Sequence, residues 1–164
     1  MADVQTAVST STVVDAPIER AFAVFTQDIA SWWPQEHHIL QGQESHMVLE
    51  PKVGGRIYEI GADGSDCQWS HVLVWEPPHR VVFTWELSPQ WSIETDAARA
   101  SEVEVRFTAE DSGRTRVEVE HRHLDRHGDG WEGLRDAVGS PEGWPLELRS
   151  FGQLVAQENV ANGA

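Results

Sequence analysis

Cysteine is almost missing from this chain. Cys67 is the only one among 164 residues, which excludes an intrachain disulfide and fits a reducing compartment. Basic residues are scarce as well: 12 Lys and Arg stand against 27 Asp and Glu, for a formal net charge of −15 with His neutral. A chain so acidic repels polyanions, so neither nucleic acid nor an anionic membrane is expected as a partner. No apolar run approaches the roughly eighteen residues that a membrane span requires. The opening MADVQTAVSTST has no basic region and no apolar region of a signal peptide. Repeats, low-complexity tracts and linkers are also lacking. The expectation is a soluble, cytoplasmic chain with one domain over residues 8–158, at 40% hydrophobic and 24% charged residues, an ordinary globular composition.

What the sequence does contain is one long amphipathic stretch near its end. In PLELRSFGQLVAQE and the Trp144 before it, Trp144, Leu148, Phe151 and Val155 fall at i, i+4, i+7 and i+11 on one face, and Leu154 widens the stripe. Pro145 suits a first helical turn, where its missing N–H costs nothing. Glu147, Arg149, Gln153 and Gln157 then occupy the other face.

Short alternating segments precede this helix. Residues 8–14 read as a strand, and Asp15 with Pro17 as the start of a helix whose stripe is Ile18, Ala21, Phe22 and Phe25. Residues 28–33 suit a second short helix, stopped by Pro34, and residues 35–45 a loop. Six strands are then expected near 46–50, 56–60, 68–75, 81–87, 102–108 and 115–123. Asp63-Gly64, Pro77-Pro78 and Ser112-Gly113 mark turns between them, and 88–100 reads as a longer loop. A short helix near 131–138 leads to the last one. Strands joined by tight turns pair antiparallel, so the order predicts an α+β fold in which a curved sheet grips the terminal helix.

Alternation assigns the covered face. Val103, Val105 and Phe107 oppose Glu102, Glu104 and Arg106; Val117, Val119, His121 and His123 oppose Arg116, Glu118, Glu120 and Arg122. Val81, Phe83, Trp85 and Leu87 form a third inward set. For 68–75, burial of two indoles favours Trp69, His71, Leu73 and Trp75 over Ser70, Val72 and Val74. The 56–60 strand leaves Tyr58 and the pair Ile57 and Glu59 undecided. Such an inward list, aromatic with a few polar points, suits a ligand cavity and a filled core equally well.

Each candidate site residue has a structural reading beside its functional one. Trp32 and Trp33 either roof a cavity or pack the first helices on the sheet. His37 and His38 either meet a ligand at the mouth or are solvated. His121 is either a polar anchor inside or a satisfied core histidine. His71, His121 and His123 share no ligand spacing of a metal site, HExxH is absent, and no metal is expected. The HGDG run from His127 reads as a turn, and Cys67 as inert. GxSxG and an inward carboxylate pair are both missing, so no catalytic residue is assigned.

An ordered set of motifs adds a family resemblance. Asp15-Ala-Pro17-Ile-Glu-Arg-Ala21-Phe22, Ser31-Trp-Trp-Pro34, Glu50-Pro-Lys-Val-Gly-Gly-Arg56, Val74-Trp-Glu-Pro-Pro78, Val82-Phe-Thr-Trp85, Glu120-His-Arg122 and Gly143-Trp-Pro145 stand in that order, within a similarity that covers residues 8–156. This order resembles the Hsp90-ATPase-activator-like branch of the START-like, or Bet v 1-like, helix-grip superfamily (SRPBCC). The resemblance implies a seven-stranded antiparallel sheet around the C-terminal helix, two short helices after the first strand, and a hydrophobic cavity. The superfamily carries lipids, sterols, hormones and polyketides in that cavity, so a small hydrophobic ligand is the expected partner and no cofactor is expected.

On this reading Trp75, Phe83, Trp85, Phe107, Trp144, Leu148 and Phe151 are the walls. His121 is the polar anchor, and Trp33 and His38 stand near the mouth. A cyclase-like or hydrolase-like enzyme in the same cavity is the alternative, with His121 as acid/base and Glu59 as a helper if it faces inward. Contact with a chaperone is a third, lesser expectation, because the co-chaperone's second, docking domain has no room here.

Overall fold

The computed structural model describes residues 5–34, 37, 39, 40 and 44–161. Strand β1 (Val8–Val14) runs into helix α1 (Ile18–Thr26), followed by one short turn of helix, α2 (Ile29–Trp32). Pro17 takes the N-cap position of α1, where no side chain caps the free N–H groups. Asp15, expected to cap, instead places a carboxylate oxygen 3.6 Å from Arg114 Nε. The buried Trp32 ties the two helices together, its indole N–H shared at 3.2 Å between the carbonyls of Val24 and Phe25.

Six strands follow: β2 (Ser45–Leu49), β3 (Arg56–Gly61), β4 (Asp66–Glu76), β5 (Arg80–Trp85), β6 (Ser101–Asp111) and β7 (Arg114–Arg122). With β1 they form one antiparallel sheet of seven strands in the order β1-β7-β6-β5-β4-β3-β2. The first strand therefore closes on the last, with Val8 opposite His121 and Val14 opposite Thr115. Helix α3 (Trp131–Val138) and the long α4 (Trp144–Ala161) come after the sheet. The expected stripe of α4 is buried on it: Trp144, Leu148, Phe151 and Val155 are each at most 3% exposed. This is the helix-grip architecture, reached because period-2 strands offer an apolar face that only the period-3.6 stripe is long enough to cover.

Two strands depart from simple alternation. In β4 the register shifts twice, against β3 between Ile57 and Tyr58 and against β5 between Val72 and Val74. Each bulge adds a residue and reverses the facing of the residues beyond it. Trp69 and Trp75 still turn toward the helices, as expected, but Ser70 and Val72 take the buried places assigned to His71 and Leu73. His71 instead lies half-exposed, its Nδ1 2.7 Å from Glu86 Oε2. In β3 the undecided facing resolves to Ile57 and Glu59, both fully buried. The other departure ends β7. His123 has φ +60, a left-handed conformation that leaves the strand, so its side chain is exposed rather than inward. A short 3-10 turn (Leu124–His127) then brings His127 inward, at 2% exposure.

The space between sheet and α4 is divided. Toward the C-terminal part of α4, rings fill it: Phe22 meets Phe107 with centroids 5.1 Å apart, and Phe25 meets Phe107 at 5.7 Å and Phe151 at 5.3 Å. Trp75 stacks edge-on against Phe22 at 5.1 Å. Edge-to-face packing of this kind adds to the large apolar area each ring removes from water. Deleting the central ring tests the division. Phe151→Ala leaves a cavity under Phe25 and Trp32, and an unfolding free energy lower by about 3–5 kcal/mol is expected from urea titrations.

Candidate ligand cavity

Around the N-terminal end of α4 the space stays open. A cavity of about 580 Å³ lies between Trp144 and Glu147 of α4, the end of α3 at Ala137 and Val138, the sheet, and the residues after α2. Five tryptophans line it: Trp33, Trp69, Trp85, Trp91 and Trp144. They brace one another, with Trp33–Trp69 and Trp69–Trp85 centroids each 5.4 Å apart and Trp85–Trp144 at 5.9 Å. Ile39, Met47 and Leu87 complete the apolar wall; His37, Ser140, Glu142 and Glu147 supply its polar points.

The local sequence explains why each wall member stands there. Trp33 follows α2 in an extended conformation and turns back over the cavity, its indole N–H donating to the His37 carbonyl at 3.4 Å. Trp69 sits at the first bulge of β4, and its N–H points to Met47 Sδ at 3.0 Å. Gly143 precedes α4 so closely under α3 that a Cβ there would lie 2.1 Å from the Val138 carbonyl oxygen. Only glycine lets the two helices meet and bring Trp144 to the wall. Behind β2, the buried Glu59 accepts from Ile39 N at 2.7 Å, Leu40 N at 2.8 Å and Ser45 Oγ at 2.8 Å. That carboxylate holds Ile39 against the cavity, because the backbone donors it satisfies would otherwise be stranded beside the sheet.

Trp91 differs from the other four. It is 52% exposed, with φ +65. A bulky side chain in that region stores strain of order 1–3 kcal/mol. The hairpin around it supplies the restraint: Leu87 bridges Ile93, Ser88 N donates to Ser92 O at 2.7 Å, and the two serine hydroxyls are 2.8 Å apart. The ring is thereby held at the rim, 6.5 Å from Trp85.

A buried chain of hydrogen bonds lies behind the wall. The Trp144 indole donates to His121 Nδ1 at 3.1 Å; His121 Nε2 is 2.8 Å from Ser101 Oγ, which is 2.7 Å from His127 Nε2. An indole N–H only donates, so His121 Nδ1 must accept and its proton must sit on Nε2. Ser101 Oγ then accepts from His121 and donates to His127 Nε2, leaving the His127 proton on Nδ1. Among the described residues that Nδ1 has no partner, nor does Trp85 Nε1. Burial, with the adjacent His127 adding to it, holds His121 down at about 3, well below the ordinary 6.5. Burial also lowers His127, against the opposing pull of Glu94. Both rings are neutral near pH 7, as the bonding pattern requires.

The structure brings Trp33, Trp85 and Trp144 of the sequence-derived site together on the cavity wall. It places Phe107, Leu148 and Phe151 in the ring-filled core, with Trp75 partly buried against it, and Phe83 behind Trp69 and Trp144. His121 stands behind Trp85 and Trp144 with both nitrogens bonded, so it positions the wall instead of facing a guest. His38 lies outside the described residues. Glu147, assigned to the face opposite the apolar stripe, is 4% exposed and pairs with His37 Nδ1 in a short contact inside the cavity. Sequence reasoning also passed over Trp91, in a stretch read only as a loop, and His127, read as a turn. The i, i+3 spacing of Leu124 and His127 was the available signal for the latter. Cys67 is half-buried, and burial together with Glu59 and Asp66 pushes its thiol up, away from nucleophilic use. Among the described residues no group of three or more His, Cys, Asp or Glu gathers as a metal site. No helix among them is long and apolar enough to cross a membrane.

A bent antiparallel sheet clasping a terminal helix over an aromatic cavity defines the helix-grip class. Within it, the chain belongs to the family described as activator of Hsp90 ATPase homolog 1-like protein, whose model matches residues 15–156. Among solved structures it is similar to an anthrahydroquino-gamma-pyrone synthase, Txn09, complexed with SUM. The two are 41% identical over 90% of this chain and 96% of that one, with a TM-score of 0.63. It is also similar to CalC from Micromonospora echinospora, a self-sacrificing resistance protein, at 30% identity over 94% and 96% of the two chains and a TM-score of 0.66. Protein NE0264 from Nitrosomonas europaea, 16% identical over 97% and 99% with a TM-score of 0.68, shares the fold. No curated protein matches the chain.

The neutral histidines make stability depend on pH. Their folded values lie below the unfolded one of about 6.5, so the unfolded chain binds protons first as pH falls. The stability is complete above about pH 6.5 and is lost as pH falls toward 3, with a slope of up to about 1.4 kcal/mol per pH unit for His121. Urea unfolding between pH 7 and 5 is expected to show this slope, before most carboxylates titrate, and His121→Gln to flatten it.

Proposed function

We propose that the chain binds a flat, polycyclic aromatic molecule in the cavity at the N-terminal end of α4. The observation that carries this reading is a wall of five indoles around about 580 Å³, inside the range of small-molecule sites. Four of these indoles are buried, and three of the four have their N–H groups bonded within the protein. They offer faces and edges, which suit stacked and edge-on contact with a planar ring system. The 41% identity to a protein described as an anthrahydroquino-gamma-pyrone synthase supports a polycyclic aromatic guest.

Titration with anthraquinone-type probes is expected to quench tryptophan fluorescence saturably at one site per chain. Ala137→Phe, which puts a ring into the cavity from α3, is expected to weaken binding by about tenfold or more, the equivalent of about 1.4 kcal/mol. Unsaturable quenching, or quenching indifferent to that substitution in a folded variant, removes the reading.

A second reading, that the bound molecule is also transformed, is favoured by one feature. His37 and Glu147 are hydrogen-bonded to each other on the cavity wall, an imidazole oriented by a carboxylate. Such a pair can take a proton from one atom of a bound ring precursor and return it to another. If chemistry occurs, His37→Ala and Glu147→Gln are each expected to lower turnover of a cyclisable aromatic precursor by about 10²–10⁴-fold with affinity retained. Equal losses in binding and turnover would reduce the pair to a wall contact.

A further inference from the structure

Among the described wall residues two carboxylates, Glu142 and Glu147, stand against one side chain able to carry a positive charge, His37. Glu142, exposed at the mouth, and Glu147, buried inside, both line the cavity, and among the described residues no lysine or arginine does. Arg149 lies close in sequence, but its guanidinium donates to the Pro141 carbonyl at 3.3 Å and is not part of the wall. The N-terminal end of α4 adds roughly half a positive charge, less than either carboxylate. Counting His37–Glu147 as an ion pair still leaves Glu142 uncompensated by any described wall residue. The indoles add to this where a ring face borders the space, since the face is the negative side of the quadrupole. The rest of the chain, at −15, extends that potential outward and enriches cations near the mouth.

From this combination we propose that the cavity selects its guest by sign of charge: the ligand is a planar aromatic bearing a protonated amine or comparable cation, received at the rim by Trp91 and Glu142. Trp91 fits the task. It is half exposed, held in a strained backbone conformation by the Ser88–Ser92 hairpin, and free to lay an indole face on a cation as it passes inward. Fatty acids and aromatic carboxylates are disfavoured, because their anionic end would meet Glu142 at the rim and, among the described wall residues, no guanidinium or ammonium to pair it.

This inference rests on the cavity-binding reading, and three tricyclic probes of similar size separate the two. 9-Aminoacridine is cationic at pH 7, 9-anthracenemethanol is neutral, and 9-anthracenecarboxylate is anionic. Affinities are measured by fluorescence titration at low and moderate salt, counting only the component that Ala137→Phe removes, so that dye held loosely by the acidic surface is left out. The cation is expected to bind about tenfold or more tighter than the anion, with the neutral probe between them. Added salt should narrow the gap. Glu142→Gln should weaken the cation several-fold and leave the neutral probe unchanged, which a merely structural glutamate would not do. Trp91→Ala should lower the preference for the cation over the neutral probe. If the neutral probe occupies the cavity and the anion binds as well as the cation, the sign selection is wrong while the cavity reading stands. If none of the three shows a component that Ala137→Phe removes, both fall together.

Discussion

The bond from the Trp144 indole to His121 Nδ1 holds the two halves of the interior apart. It ties the first turn of α4 to β7 at a point where the helix would otherwise be free to settle onto the sheet. The same ring packs against Trp33, Phe83 and Trp85, so the helix end, the segment after α2 and β5 all converge on it. His121 is itself fixed, through Ser101, to His127 on the turn after β7. A buried polar chain is stabilising only when its members are satisfied. Here the donor order is forced by the indole, and the open end falls on His127 Nδ1, away from the cavity wall.

Given that anchor, the difference between the plugged and the open half comes from ring size and bracing. In the plugged half, phenylalanines from α1, β6 and α4 interlock at 5–6 Å, and Trp32 spans the gap to the helices. In the open half the rings are indoles whose planes lean on one another around the rim of the space. The N–H groups of Trp33, Trp69 and Trp144 are directed into protein acceptors, which limits the rotations by which these rings would collapse inward. Glu59 on one side and the His37–Glu147 pair on the other hold the segment after α2 at a distance from the sheet. An aromatic cavity maintained in this way fits the proposed flat guest, since little side-chain freedom remains to be lost on binding.

Much of the fold was legible from periodicity. The α4 stripe, the α1 stripe and the alternation in β6 and β7 were readable because each face meets one environment along its whole length. Legibility failed where backbone irregularity intervened. The two bulges in β4 exchanged His71 and Leu73 for Ser70 and Val72, and the left-handed His123 sent one histidine out and a second, His127, in. No side-chain pattern in a single sequence marks those points, because a bulge is decided by the partner strands.

The site was legible in kind more than in membership. Composition and order pointed to an aromatic cavity under the terminal helix, and the tryptophans at 33, 85 and 144 were recoverable from their inward positions. Glu147 was not, because a carboxylate on the face opposite an apolar stripe gives no sign of a buried partner until His37 arrives from more than a hundred residues away. Trp91 was not either, because its place at the rim depends on a hairpin that has no periodicity. The sequence by itself determined which elements form and which faces they bury, since those depend on local spacing and the free energy of removing apolar area from water. Tertiary structure alone decided where the interior fills and where it stays open. That outcome rests on which rings from distant segments meet, and on a few hydrogen bonds whose partners have no fixed separation along the chain.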